Sequence, residues 1–439
     1  MNITVTPKFN SPQAAPLRFE KKAEAPQTQA KAPSDSFVPS ERQDAPKPAQ
    51  PGDKREFWTW DMSVMPPGEK KVSTTCRSVG GNTNIWVDDA VWERLVTAED
   101  VFTLQKRLEE KSPTGSVDPR KGIVAINEEY FGKAPVGMDG DPKVNILLTE
   151  FASFRGTVMD GYFNAFDTLT DKEAQEEYGQ RSNETEVVYM NAASRRISSD
   201  YMQGVLAHEY QHLLHFPHDG EEESWLSETL GEVAMKVNGY HTDMGHVARH
   251  QSRPHLPLVS QTYVDYGACM LFGSYMTEQF GEGFIQELSQ DPRHGVESIN
   301  GTLSELGVEK SFDSIYRDWV VANYADSKGV ATPGNHYASL NVPAPAQTVV
   351  EGSEFNESNT LRPTGARYYK LPEADVELSV TSPSEQLTTE ILEFDGKKMT
   401  RRAYQPGMKL QAHPDRVLVV GSLAAEDVEY SVELKGNRL

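Results

Sequence analysis

Apolar residues are unevenly spread along this chain, and the first 54 residues carry almost no periodic apolar pattern. Nine prolines occur in this segment by Pro51, and Ala, Gln, Lys and Ser fill much of the remainder. Such a composition buries too little apolar surface to offset the entropy lost on ordering the chain. We therefore expect a disordered tail over residues 1–54, with folded structure starting near Phe57.

Between residues 55 and 335 the pattern predicts short strands mixed with helices. Continuous apolar runs indicate strands at 84–87, 122–126, 144–148 and 186–190. Apolar residues at helical spacing, or rich apolar content, indicate helices at 98–110, 199–216, 224–237, 263–280 and around 312–320. Ser198, Ser199 or Asp200 can cap the second of these helices, which Pro217 must end, and Asn238-Gly239 ends the third.

The composition and the apolar pattern of the chain change after residue 335. Residues 336–360 are rich in proline and polar residues and are expected to be a linker. Alternating apolar residues and the turn signal Asp395-Gly396 then predict short antiparallel strands. We expect a small all-β sandwich over residues 361–439, beside a catalytic domain over residues 55–335, and hence an α+β fold class.

Composition excludes several classes of protein. The 439 residues contain 43 Lys and Arg against 65 Asp and Glu, a net charge of −22, which argues against a general nucleic-acid binder. No apolar run approaches the roughly 20 residues of a membrane span, so no membrane insertion is expected. The two cysteines, Cys76 and Cys269, are too few for a disulfide scaffold or a four-cysteine zinc site.

The histidines are concentrated in one part of the chain. None of the 11 histidines precedes His208, and eight fall between His208 and His255. They include the motif His208-Glu209-Tyr210-Gln211-His212, which is H-E-x-x-H. On a helix the two histidines share one face and can bind one Zn²⁺ ion, and Glu209 lies where a base can take a proton from a zinc-bound water. The motif falls inside an expected helix, which makes an accidental match less plausible.

A catalytic zinc ion needs a third protein ligand, and two candidates follow the motif. Glu228 lies on the next expected helix, with Glu232 one turn later in a position to orient a liganding histidine. His218 is the alternative, because its spacing from the motif is the one that metzincins use. We favour Glu228, because His215 stands where a metzincin has a turn-forming glycine and Pro217 lies beside it.

Three sequence stretches resemble the gluzincin neutral metallopeptidases of the hyicolysin type. That family typically has H-E-[FY]-Q-H, W-x-N-E-G and Y-G-A, and this chain has HEYQH at 208–212, WLSET at 225–229 and YGA at 266–268. Ser227 and Thr229 replace the usual Asn and Gly. The resemblance covers roughly residues 75–325. It implies a zincin-like domain with a mixed-sheet upper lobe, the HExxH helix and a helical lower lobe.

The same resemblance implies the roles of individual residues. His208, His212 and Glu228 would be the ligands of one Zn²⁺ ion, and Glu209 the catalytic carboxylate. Related enzymes stabilise the oxyanion with a Tyr or His of the lower lobe. We assign this role to Tyr266, with Tyr263, His241, His246 and His250 as alternatives. From its position in zincins, the strand at 187–190 is expected to be the sheet edge that pairs with substrate, or else an internal strand.

The expected function is therefore zinc-dependent endopeptidase activity on a protein or peptide substrate. The alternatives are a non-catalytic adhesion or binding protein on a degenerate zincin scaffold, and a zinc hydrolase acting on a non-peptide substrate. The N-terminal residues lack the pattern of a secretory signal peptide. The family resemblance suggests an extracellular location or export by a non-classical route, so localisation stays open.

Overall fold

The computed structural model describes residues 48–64, 68–135, 137, 139–153, 158–240 and 244–436. Most of the expected disordered tail, residues 1–47, lies outside the described residues. The described chain divides into two compact units. The first runs up to Glu221 and includes a later segment from Ala234, and the second comprises residues 222–233 and the chain from residue 244 onward.

A six-stranded mixed sheet forms the centre of the first unit. Its strands are β1 (Lys54–Asp61), β2 (Gly68–Val79), β3 (Thr83–Asp88), β4 (Val144–Thr149), β5 (Gly161–Phe163) and β6 (Val187–Asn191). They lie in the order β1-β2-β3-β4-β6-β5. β3, β4 and β6 are parallel to one another, whereas β1, β2 and β5 pair antiparallel with their neighbours. β3, β4 and β6 consist entirely of buried residues, as expected for strands covered on both faces.

Within its described residues the first unit also contains four helices, of which the first and the last pack against strands of this sheet. They are α1 (Ala98–Glu109), α2 (Ile123–Phe131), the single turn α3 (Asp171–Glu173) and α4 (Asp200–His215). The strand expected at 122–126 is wrong, because these residues begin α2. Buried positions Ile123, Ile126, Asn127 and Tyr130 recur at helical spacing. A short apolar run looks the same in a buried strand and a buried helix, and here only the continuation to Phe131 distinguishes them.

The strand at 187–190 is internal, so the expectation that it forms the sheet edge is wrong. β6 pairs with β4 on one side and with β5 on the other. β5 has only three residues and pairs with β6 alone among the described strands, so β5 forms that edge of the sheet. A strand this short carries no periodic signal, which is why the sequence did not reveal it.

The second unit begins with a helical region. Its helices are α5 (Ser224–Val237, whose last residues belong to the first unit), α6 (Gly245–Gln251), α7 (Tyr266–Phe280), α8 (Glu282–Ser289), α9 (Gly295–Glu305) and α10 (Phe312–Ala325). α5 has the expected bounds. α7 begins three residues later than expected, because the Asp265 side chain accepts hydrogen bonds from the Gly267 and Ala268 amides and so caps the helix at that point.

The C-terminal part of the second unit contains two antiparallel sheets arranged like a β-sandwich. The strands are β7 (Gln347–Val349), β8 (Phe355–Leu361), β9 (Ala366–Lys370), β10 (Val376–Thr381), β11 (Leu387–Asp395), β12 (Lys398–Ala403), β13 (Met408–Leu410), β14 (Arg416–Ser422) and β15 (Val428–Gly436). One sheet has the order β13-β10-β15-β8 and the other β12-β11-β14-β9-β7. The single parallel pair is β7 with β9. Apolar residues from both sheets, including Leu378, Leu418 and Val432, form one buried cluster.

Helix α10 packs directly against this β region. The Tyr316 hydroxyl donates to the Gly365 carbonyl at 2.7 Å, and the Tyr368 hydroxyl donates to the Val320 carbonyl at 2.8 Å. Both tyrosines are buried. The expected linker at 336–360 contains β7 and all but the last residue of β8, and its Tyr337 is buried. The helical region and the strands thus form one packed unit.

The chain as described has mixed α and β structure, with a mixed sheet, ten helices and a C-terminal antiparallel β region, which is an α+β architecture. No helix within the described residues has the length and apolar character that crossing a membrane requires. Cys76 and Cys269 are both buried free thiols.

Candidate metal centre

Helix α4 presents the two motif histidines. The Ser199 side chain accepts a hydrogen bond from the Met202 amide, which confirms the expected cap, and the helix ends at His215 before Pro217. The His208 and His212 rings lie with their centroids 4.8 Å apart at an interplanar angle of 80°. His208 is buried and His212 is partly exposed. Spacing of i and i+4 thus places two imidazoles side by side on one face of the helix.

Contacts inside the first unit hold this helix in place. Asn127 of α2 donates from Nδ2 to the carbonyl of Ala207, directly before His208, at 2.8 Å. Gly204 lets Tyr240 approach closely, because a Cβ at position 204 would lie 3.1 Å from the Tyr240 Cβ. Tyr210, two residues after His208, is fully buried, and burial raises the pKa of its hydroxyl. The histidines are therefore carried by a helix that is fixed on several sides.

Glu209 lies beside the edge strand β5. A Cβ placed on Gly161 would lie 2.9 Å from the Glu209 Cγ and 3.1 Å from the Tyr189 carbonyl oxygen, so only a glycine leaves the Glu209 side chain its present place. The Tyr201 hydroxyl of α4 donates to Asp160, the residue before β5, at 2.6 Å. The side chain that follows the first histidine thus lies against β5, the last strand of the sheet among the described strands.

Glu228 lies on α5, one turn after a strongly anchored tryptophan. Trp225 is fully buried, packs against the rings of Phe272 and Phe312, and donates from Nε1 to Glu223 at 2.6 Å. Gly273 of α7 lies against α5, since a Cβ there would be 3.0 Å from the Thr229 carbonyl oxygen. Glu228 itself is only 6% exposed. A carboxylate buried to this degree is usually paired with a charge or a metal ion.

His208, His212 and Glu228 form one of two groups of described residues that can hold a metal ion. One potential ligand atom from each lies within 4.8 Å of the other two. Four ligands placed tetrahedrally at about 2.0–2.1 Å from a zinc ion are about 3.4 Å apart, so this spacing suits a zinc site with little adjustment. Two imidazoles and one carboxylate are also a donor set that zinc enzymes use. His218, the alternative ligand, is exposed and is in neither group.

The second group, His215, Asp219 and Glu222, was not foreseen as a metal site. His215 is the last residue of α4, and burial, with smaller contributions from His212 and His218, lowers the pKa of its imidazole to about 3. The two carboxylates come from the connection to α5, where the sequence shows no periodic signal.

The oxyanion candidates are at the start of α7 and on α6. Tyr266 is partly exposed, and its ring meets that of His246 edge-on at 5.8 Å. His250 is buried, packs on Trp319 and hydrogen-bonds through Nδ1 to Asp265 at 3.2 Å. Burial favours a higher pKa for Asp265, but hydrogen bonds from His250 and the α7 amides outweigh it and lower that pKa. His241 lies outside the described residues. The role of Tyr266 stays a prediction.

Comparisons with known proteins do not identify a family. No protein family and no curated protein matches the chain. Among solved structures, it is similar to PliG, a periplasmic inhibitor of g-type lysozyme, from Salmonella Typhimurium (13% identity, TM-score 0.16, 20% of this chain and 96% of that one) and from Aeromonas hydrophila (14%, 0.15, 20% and 95%). A de novo designed double-stranded β-helix matches with 18% identity and a TM-score of 0.13, over 18% of this chain and 99% of that one. TM-scores this low are not evidence about the fold or the function of this chain.

Proposed function

We propose that this chain is a zinc-dependent endopeptidase of the zincin type. The observation that supports this most is the grouping of His208, His212 and Glu228, three residues from two helices whose ligand atoms lie within 4.8 Å of one another. The proposal assigns the six-stranded mixed sheet and α4 to the upper lobe of a zincin-like domain. It assigns the helices α5 to α10 to the lower lobe.

In this proposal His208, His212 and Glu228 would hold the ion. When bound, zinc would polarise the scissile carbonyl and lower the pKa of a water molecule in its open coordination position. Glu209 follows the first ligand without belonging to the ligand group, and it is partly exposed. It would accept a proton from the attacking water and later deliver that proton to the leaving amine. Tyr266 would donate a hydrogen bond to the developing oxyanion.

The edge strand β5 supports a peptide as the substrate class. Among the described strands only β6 pairs with it, so an extended peptide could pair with its other side, as in other proteins that bind peptides by strand addition. The Glu209 side chain lies so close to this strand that a Cβ on Gly161 would be 2.9 Å from its Cγ. A peptide paired along β5 would therefore run past the general base, whereas a compact non-peptide substrate gains nothing from a strand edge.

The Gly161→Ala variant tests this placement. The new methyl group would meet the Glu209 Cγ at 2.9 Å, so the carboxylate must move. Misplacing a catalytic group by up to 1 Å costs up to about 10²-fold in rate. We expect kcat for a peptide substrate to fall by about 10–10²-fold, with the zinc content unchanged. Gly115→Ala is the control for a glycine change in the same unit, because Gly115 lies outside the left-handed region and the nearest heavy atom to a Cβ there, the Gly239 carbonyl oxygen, is 4.0 Å away. An unchanged kcat would contradict the placement of Glu209 beside the substrate.

The substrate class is tested by a panel assayed with and without a zinc chelator. The purified, zinc-loaded chain is offered an unfolded protein, a quenched fluorescent peptide, an acyl ester and a polysaccharide. The proposal predicts chelator-sensitive cleavage of the first two at internal peptide bonds, read out by mass spectrometry of the products. Chelator-sensitive turnover of only a non-peptide substrate would instead support the alternative hydrolase. Zinc binding without any turnover would support the non-catalytic binding protein.

A further inference from the structure

His215, Asp219 and Glu222 form a second group of potential ligands that shares no residue with the proposed zinc centre. One ligand atom from each lies within 4.8 Å of the other two, and all three residues are buried. They occur within eight consecutive residues, at the end of α4 and in the connection to α5. This connection leads from His212, one proposed zinc ligand, towards Glu228, another.

His215 is the residue that distinguishes this group from an ordinary cluster of acidic residues. Its side chain is 2% exposed, and its Nε2 atom is enclosed without a hydrogen-bond partner. Buried polar atoms are almost always partnered, so an orphaned imidazole nitrogen calls for an explanation. A bound cation supplies one, since a neutral imidazole is among the commonest metal ligands in proteins.

The two carboxylates are held in place by backbone donors. Asp219 accepts from the Glu221 amide at 3.0 Å. The Glu222 Oε1 atom accepts from the Glu223 amide at 2.5 Å and from the Gly295 amide, at the start of α9, at 2.8 Å. Hydrogen bonds of this kind orient metal ligands from outside the coordination sphere. Two buried carboxylates this close repel each other when both are charged, and a cation between them removes the repulsion.

We propose that His215, Asp219 and Glu222 bind a second divalent cation, of the transition-metal type. One imidazole nitrogen and two carboxylate oxygens suit Zn²⁺ or Mn²⁺, whereas Ca²⁺ and Mg²⁺ prefer sites made of oxygen alone. The cation would fix the end of α4 to the connection that follows it. This second site does not depend on the proposed peptidase activity.

Zinc itself is the probe. The metal-free full chain is titrated with zinc against a chromophoric chelator, and bound metal is counted by elemental analysis. We expect two zinc equivalents for the wild type and one for Asp219→Asn, which keeps the side-chain volume and removes the charge. His218→Gln changes a neighbouring exposed histidine that is in neither group, so it should keep two equivalents.

Glu228→Gln separates the two centres. If both metal sites exist, the Glu228→Gln chain retains one zinc equivalent. The double variant Asp219→Asn, Glu228→Gln then retains none. A single wild-type equivalent that Asp219→Asn keeps and Glu228→Gln loses would overturn the second site and leave a hydrogen-bonded cluster. A single wild-type equivalent that Glu228→Gln keeps and Asp219→Asn loses would support the second site and contradict the proposed zinc centre. If Asp219→Asn does not fold, the wild-type count and the equivalent retained by Glu228→Gln decide the question.

Discussion

Glu209→Gln is expected to lower kcat/KM for peptide hydrolysis by about 10²–10⁴-fold, the usual contribution of a positioned general base. Glutamine has nearly the same shape as glutamate but cannot accept the proton from the attacking water. Glu209 is not in the ligand group, so the zinc content should equal that of the wild type. Loss of activity with retained metal separates a role in proton transfer from a role in binding the ion.

The measurement pairs a fluorescent-peptide assay with elemental analysis of the same samples. Glu176→Gln is the matched control, because Glu176 is an exposed glutamate of the same unit, far along the chain from the motif. It should keep full activity. A Glu209→Gln variant as active as this control would show that Glu209 is not the base, and the proposed mechanism would then be wrong.

Glu228→Gln is expected to weaken zinc binding at the proposed centre by more than the roughly 10–100-fold typical of changes outside the coordination sphere. Peptide hydrolysis should fall together with zinc occupancy and recover in part at high zinc concentration. His218→Gln should leave both affinity and activity near the wild-type values, because His218 is exposed and outside the ligand group.

This pair of variants also decides between the two ligand schemes that the sequence leaves open. Competition titrations with a chelator of known affinity give the zinc dissociation constant of each variant. A weakened site in His218→Gln with wild-type affinity in Glu228→Gln would favour the metzincin-like spacing. Glu228 would then not be the third zinc ligand, although His208 and His212 would keep their roles.

The helices that carry the candidate site were predictable because strong local signals mark their ends. Ser199 caps α4 and Pro217 follows its last turn. α5 has the expected bounds before Gly239, whose φ of 76° favours a residue without a side chain. The motif spacing then places His208 and His212 on one face without any knowledge of the tertiary structure. These elements owe little to contacts distant in sequence.

Other features depend on such contacts and were not predictable. Residues 123–126 are helical because the buried positions that begin there recur at helical spacing as far as Phe131. Their apolar run alone fits a strand equally well. β5 is a three-residue strand defined by pairing with β6. The group of His215, Asp219 and Glu222 arises from the path of a connection that has no periodic pattern. In each case the structure is determined by contacts formed on folding and not by the local sequence.

If one zinc ion held by His208, His212 and Glu228 enables peptide hydrolysis, activity must follow the return of zinc to the metal-free chain. The metal-free wild-type chain and the Asp219→Asn chain are titrated with zinc while cleavage of a fluorescent peptide is followed. We expect no cleavage without metal, and activity that rises in Asp219→Asn until one equivalent is bound. Peptide cleavage that persists in the metal-free chain, or a fully zinc-loaded wild-type chain that cleaves no peptide, would contradict this role of the zinc ion.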